Sequence, residues 1–233
     1  MLTPPTGLLF DKDGTLFDFH KSWSLWARRL IDTLAEGDAA RRDLIATCFE
    51  YDYDNTAFFP GALSVAGTAG EQAMILSPAL PDWSVAQIEA FLVREAAHAR
   101  MVPATALVPL LDGLRAAGLC LGVATNDAEA SARVHLEEAD IALKFDYIAG
   151  YDSGYGAKPD AGMCRGFAVA LDLDPSRCVM IGDSLHDLVA GRAAGMMTVA
   201  VLTGLAETDE LAPLADAVLP DIGALPDWLA SIG

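Results

Sequence analysis

The sequence predicts an α/β protein, a doubly wound parallel sheet interrupted early by an inserted helical segment. Two observations carry this expectation. From about Leu107 onward, short apolar runs alternate with stretches of helical periodicity. Repeated strand–helix units of that kind build a parallel sheet with helices on both faces. Ahead of them a single apolar run, Leu8-Leu9-Phe10, leads into helical texture. That texture lasts roughly ninety residues, far beyond an ordinary connection, so it should form a small domain of its own.

The elements follow in order. "GLLF" is a buried first strand. Trp23, Trp26, Ala27, Leu30, Ile31 and Leu34 recur at helical spacing, and Leu44, Ile45, Cys48 and Phe49 suggest a second helix. "YDYDN", Tyr51 to Asn55, reads as a loop between helices. The Gly-, Ala- and Pro-rich piece from Gly61 to Pro81 should hold one short helix. "SVAQ", Ser84 to Gln87, is a capping-box pattern that opens a helix through Ile88, Phe91 and Leu92. Pro109 can open the next helix, and Gly118 stands just past its end. "LCLGVATN" is a second buried strand, and Asp127 is placed to cap the helix after it. "FDYIAG", "CVMIGD", "TVAVL" and "AVLP" supply further strands. Helices are expected over Asp160–Leu171 and over His186–Ala194, the latter ended by Gly195. Residues 1–16 and 107–233 should thus form a Rossmann-like core, and 17–106 an all-α insert.

The bulk composition narrows the function. The 233 residues are 53% apolar, enough for one core and a satellite. Acids number 33 against 15 bases, a formal net charge of −18. Nucleic acids and anionic membranes need a basic face, so neither is expected as a partner. A small anionic substrate stays possible if a metal ion supplies positive charge locally. Four scattered cysteines read as buried, reduced thiols. No signal peptide or membrane-length apolar run is visible, so a soluble cytoplasmic protein is expected.

In parallel sheets, polar residues at the carboxyl ends of strands line the ligand crevice. The first strand delivers Asp11 and Asp13, the second Thr125 and Asn126. Lys158 follows the third, and Asp183 ends the fourth, with Asp187 four residues on. Carboxylates are costly to bury unless neutralised. Asp11, Asp13 and Asp183 can share a hard divalent cation, and Mg²⁺ suits one or two carboxylates plus a phosphate oxygen. A carboxylate so placed can attack a phosphoryl group and form an aspartyl-phosphate. Lys158 would draw charge off the phosphoryl oxygens. Asp13 can give a proton to the leaving alkoxide and then take one from water. Gly14 and Thr15 let the backbone turn so that amide N–H groups face an anion.

"DKDGT", "VATN", "KP" and "GDSLHD", in this order, resemble the four motifs of the haloacid dehalogenase-like superfamily. The insert between the first and second motifs resembles the helical-cap subclass, which includes phosphoglycolate phosphatases. The resemblance implies that Asp11 is the nucleophile and Asp13 the acid/base. It implies that Thr125 and Lys158 bind the phosphoryl group. The Mg²⁺ ligands would be the Asp11 and Asp183 side chains and the Asp13 backbone carbonyl. Asp187 would stand behind the metal or partner Lys158. The implied activity is hydrolysis of a small phosphorylated metabolite, with phosphoglycolate as the single best guess, by a monomer or homodimer.

Each residue also has a plainer reading. His20 and Lys21 could reach the crevice or simply begin the first helix of the insert. Arg41, Arg42, Arg94 and Arg100 are candidate substrate clamps, with a solvated helix face as the default. Trp23 and Trp26 read as insert core, and Asn126 as a backbone contributor. Three other functions compete. A sugar phosphomutase would need to hold a bisphosphate away from water. A haloacid dehalogenase would lack the second aspartate. A phosphoryl-accepting receiver domain would lack both the DxDGT pair and the insert.

Overall fold

The computed structural model describes residues 4–60, 62 and 67–232. Among them, six parallel strands form one sheet. In chain order they are β1 (Gly7–Phe10), β4 (Cys120–Ala124), β5 (Tyr147–Ala149), β6 (Cys178–Gly182), β7 (Met197–Val201) and β8 (Ala217–Leu219). The spatial order is β5-β4-β1-β6-β7-β8, with the first strand in the middle. Phe10 stands in register with Val123 on one side and Ile181 on the other. The carboxyl ends of these three strands therefore lie side by side, which brings Asp11, Thr125 and Asp183 to one edge.

Successive side chains of a strand point to opposite faces. Leu8 and Phe10 pack with Leu121, Val123, Val179 and Ile181 on one face. Leu9 packs with Phe167 and Met180 on the other. α5 (Leu107–Ala116) and α10 (Leu225–Ile232) contribute to the first layer. α7 (Gly162–Ala170) and α8 (Leu185–Ala194) contribute to the second. α6 (Glu129–Glu138) and the short α9 (Thr208–Leu211) complete the helices of this part.

The insert has a core of its own. α1 (Phe19–Ala35), α2 (Ala39–Cys48), α3 (Ala69–Leu76) and α4 (Val85–Ala96) bury Ile31, Ile45, Leu76 and Ile88 completely. Asp18 and Asp38 cap the first two helices. Capping boxes of Thr68 with Glu71 and Ser84 with Gln87 open the other two. The strand of chain entering the insert runs beside the one leaving it. Asp18 N–H donates to Val102 O, and Ala104 N–H donates to Leu16 O.

Three local expectations give way. The Tyr51–Asn55 stretch is not a plain loop, because Tyr51–Asp52 (β2) pairs antiparallel with Ala57–Phe58 (β3). Tyr51 and Phe58 are buried ring to ring there, which a solvated loop would not allow. Asp127 does not cap α6, whose N-cap is Ala128. Its carboxylate is drawn toward Lys12 instead. The short helix expected after Gly61 is α3, while residues 61 and 63–66 lie outside the described residues. The cysteines are all free, Cys164 and Cys178 buried, Cys48 and Cys120 only half-buried. Among the described residues, no helix is long and apolar enough to cross a membrane.

Candidate active site

Asp11 leaves β1 and continues its pairing, its N–H donating to Ile181 O. Lys158 arrives from the loop after β5, with its peptide bond to Pro159 cis. Asn126, at the end of β4, clamps that loop: its amide donates to Lys158 O and its carbonyl accepts from Lys158 N–H. Asn126 thus contributes through its side chain, not its backbone alone. The Lys158 Nζ so positioned donates to Asp11 Oδ1 at 2.6 Å, to Asp187 Oδ1 at 2.6 Å and to Ala124 O at 2.8 Å. Asp187 sits in the first turn of α8, where its other oxygen accepts from Ser184 N–H and Oγ–H. All three ionic partners are buried.

Asp183, at the end of β6, accepts from Thr15 Oγ1 at 3.1 Å. It is enclosed by two glycines: a Cβ on Gly14 would lie 2.2 Å from its Oδ2, and one on Gly204 1.7 Å. Gly14 also has φ +78°, a left-handed conformation that side chains resist. Gly14→Ala is accordingly expected to displace Asp183, weaken the apparent affinity for a divalent cation and lower turnover by roughly tenfold or more, beyond the ~1–2 kcal/mol backbone strain itself. Gly37→Ala is the matched control, since Gly37 has φ +84° and nothing within 4 Å of its would-be Cβ. It should lose stability and keep full activity in a Mg²⁺ titration. Equal activity in both variants would refute the packing argument.

Oxygens of Asp11, Asp183 and Asp187 lie within 4.8 Å of one another. Three carboxylates against one ammonium leave two negative charges in a buried place. The consequence shows at Asp11 and Asp183. Burial first, and then Asp187 and Asp13, push Asp11 up to about 7 despite the opposing pull of Lys158. Burial, Asp11 and Asp187 push Asp183 well up too. Burial alone would lower Lys158, but Asp11 and Asp187 more than offset it and hold the ammonium charged. A hard divalent cation between Asp11 and Asp183 fits this donor set: all oxygens, two charges to cancel. Asp187 has both oxygens engaged by Lys158 and Ser184, so it serves the lysine rather than standing open to an ion.

Asp13 faces elsewhere. Its Oδ1 accepts from Trp23 Nε1 of the insert at 2.8 Å, and its Oδ2 lies 2.6 Å from Lys12 Nζ. Lys12 itself is wholly buried. Its ammonium also meets Asp127 Oδ2 at 3.3 Å, an ion pair without a well-formed hydrogen bond, and His135 Nδ1 at 3.1 Å. Burial would lower Lys12, yet Asp13 and Asp127 raise it on balance. A charged Lys12 can only donate, so His135 accepts at Nδ1 and donates Nε2–H to Ala96 O. Burial and Lys12 push His135 down to about 4, which keeps that ring neutral. Nothing in a lone lysine between two aspartates announces this network; Lys12, His135 and Gly204 carry no mark of the site in the sequence, and Trp23 reads there as insert core.

One crevice contains Asp11, Asp13, Thr125, Asn126, Lys158 and Asp183, with Phe19, Trp26 and Leu92 of the insert facing them. Thr125 Oγ1 accepts from Asp127 N–H while lining it. Gly14 does not line the crevice; it acts by making room for Asp183. His20 and Lys21 are not brought in. Lys21 is exposed and pairs with Asp18, and His20 lines an adjoining cavity that shares Phe58, Leu205 and Ala206 with the crevice but is not among the crevice's own lining residues. Arg41, Arg42 and Arg94 pair with Glu36, Asp43 and Glu95 on the insert surface, and Arg100 is exposed away from the crevice. As surface residues, Arg41, Arg42 and Arg94 on helices and Arg100 just past one, they follow the plainer reading.

Comparison with known proteins finds relatives over nearly the whole chain. A model of haloacid dehalogenase-like hydrolases matches residues 5–195. A phosphoglycolate phosphatase from Rhodospirillum rubrum is 31% identical over 231 residues, covering 97% of this chain and 91% of its own. Pyrophosphatase PpaX from Bacillus velezensis is 28% identical over 217 residues, 93% and 90% of the two chains. The solved structure of CbbY from Rhodobacter sphaeroides, in complex with phosphate, superposes with a TM-score of 0.69 at 21% identity, covering 95% of this chain and 96% of that one.

Proposed function

Because the chain belongs to the haloacid dehalogenase-like hydrolases and is a phosphatase, we propose that it hydrolyses a small phosphomonoester in a Mg²⁺-dependent reaction through a phosphoryl group carried on Asp11. The observation that carries this reading is the buried convergence of Asp11, Lys158 and Asp183 at one sheet edge. Asp11 and Asp183, with the Asp13 backbone carbonyl, would hold Mg²⁺. When bound, the ion neutralises excess carboxylate charge and draws electron density from the phosphoryl oxygens.

In the first half-reaction, the free oxygen of Asp11 attacks phosphorus and the bond to the leaving oxygen breaks. Asp13 gives that oxygen a proton. Lys158, fixed by Asn126 and Asp187, offers its ammonium to the phosphoryl oxygens, and the Thr125 hydroxyl lines the same end of the crevice. In the second half, Asp13 takes a proton from water, the resulting hydroxide attacks phosphorus, and the bond to Asp11 breaks. Inorganic phosphate leaves, and both carboxyl groups return to their starting state. Trp23 Nε1–H and Lys12 Nζ each meet one oxygen of Asp13 and so fix where its carboxyl group points. Residues 17–106 are proposed as a cap that shuts water out of the crevice during these steps.

The test is phosphate release from p-nitrophenyl phosphate. Many turnovers per chain are expected with Mg²⁺, none in excess EDTA, with activity restored by added Mg²⁺. Mg²⁺ should also raise the melting temperature of the parent and not of Asp183→Asn. Full activity in EDTA would refute the metal, and one phosphoryl group per chain without turnover would favour a receiver-like acceptor.

A further inference from the structure

We infer that the organic part of the substrate is uncharged and largely apolar, a small alkyl or aryl group rather than the carboxylate of phosphoglycolate. The inference rests on the phosphatase reading and names its substrate class. Beyond the phosphoryl end, the described crevice is walled by Phe19, Trp26, Phe49, Phe58, Leu92 and Leu205. Lys158 is the one lysine or arginine among the described residues that line it, and its ammonium is already engaged by Asp11 and Asp187. The sequence between Pro60 and Gly67, part of which lies outside the described residues, contains no ionisable residue.

The insert does not lack cations; it turns them elsewhere. Arg28 donates to Tyr53 O and Thr56 Oγ1. Arg41, Arg42 and Arg94 face acids on the outer surface, and Lys21 pairs with Asp18. The polar side chains that the apolar end does present are Gln72, which is neutral, and Glu210, which repels an anion. A carboxylate moved from water into such surroundings without a counter-charge pays several kcal/mol. A ring or alkyl chain gains instead, by about 25 cal/mol for each Å² removed from water. The crevice offers about 170 Å³. An apolar cavity of about 150 Å³ takes up benzene, so a ring-sized group is within its scale. A second phosphoryl group would be as poorly served as a carboxylate, which disfavours the sugar phosphomutase alternative. His186, in the first turn of α8, is the remaining lining side chain able to become positive, and the test treats it separately.

The experiment compares kcat/KM of the full chain with saturating Mg²⁺ on two matched pairs. These are phenyl against 4-carboxyphenyl phosphate, and n-propyl phosphate against phosphoglycolate. The uncharged member should lead by about tenfold or more in each pair, as an unpaired carboxylate requires. Gln72→Arg should then improve the carboxylated members relative to the uncharged ones. Equal rates, or a lead for the carboxylated members, overturn the inference while leaving the phosphatase reading intact. If that lead vanishes in His186→Gln, His186 is the missing clamp and the inference is equally overturned. No turnover of any of the four esters would instead bring down the phosphatase reading and this inference with it.

Discussion

Asp11→Asn reduces hydrolysis of every phosphomonoester to background and forms no covalent adduct. An amide oxygen is a poor nucleophile, and the variant loses one of the two carboxylates facing the metal position. The loss should be chemical, not structural. Lys158 keeps Asp187 at 2.6 Å, and a neutral side chain relieves the crowding that pushes Asp11 up to about 7. The melting temperature in EDTA should therefore stay near that of the parent. Asp13→Asn behaves differently, because the nucleophile remains. With an alkyl ester the first step slows by about a hundred- to ten-thousand-fold, the usual worth of acid–base help. With an activated aryl phosphate, Asp11 is still phosphorylated, but no base then activates water. Phosphoryl-Asp11 should accumulate and be visible by mass spectrometry after acid quench. An adduct on Asp13 in the Asp11→Asn variant would exchange the two roles. Parent-like activity in both variants would move the active site elsewhere.

Lys12→Met is expected to be the most destabilising single change near the site. Removing one partner of a buried ion pair typically costs about 3–5 kcal/mol, because the remaining charge is stranded. Here two acids, Asp13 and Asp127, lose their common cation, and the proposed Mg²⁺ would meet Asp13 at its backbone carbonyl and neither stranded carboxylate. In a domain of this size about 2–4 °C is lost per kcal/mol, so a fall of about 10 °C is anticipated. Lys158→Met should fall less when Mg²⁺ is present, since the ion still compensates Asp11, although its activity is lost. Adding Asp127→Asn to Lys12→Met should recover part of the stability by removing one stranded charge. A Lys12→Met protein with unchanged melting temperature and kcat would show that the network is incidental.

The contrast between these two lysines marks where the sequence was legible. Lys158 could be picked out because it follows a strand and precedes a proline in an ordered series of motifs. Asp11, Asp183 and Asp187 were legible for the same reason: strand ends of a parallel sheet converge whatever the helices do. Lys12 was not. Its partners Asp127 and His135 come from beyond the second strand, His135 lying 123 residues away in sequence. A lysine flanked by acids looks solvated until the fold closes over it. Asp127 was misread as a cap because local rules reward an acid before a helix, whereas a buried ammonium outbids them. The arginines of the insert illustrate the reverse. Periodicity located their helices, but which face looks into the crevice depends on how the insert docks, and helical spacing does not contain that.

The neighbouring entry and exit of the insert, where Leu16 and Asp18 bond to Ala104 and Val102, has an evolutionary consequence. A segment whose two ends meet is, to the sheet beneath it, a cassette held at one socket. Closing a long loop costs only slightly more than closing a short one, about 0.6 kcal/mol per doubling of length. Recombination or drift can therefore exchange or recast this cassette without disturbing β1 or β4. A replacement must still meet the groups of the core that bond to the insert, among them Asp13, which accepts from Trp23, and His135, which donates to Ala96 O. Chemistry and preference would then be inherited separately, joined at the few side chains that cross between insert and core.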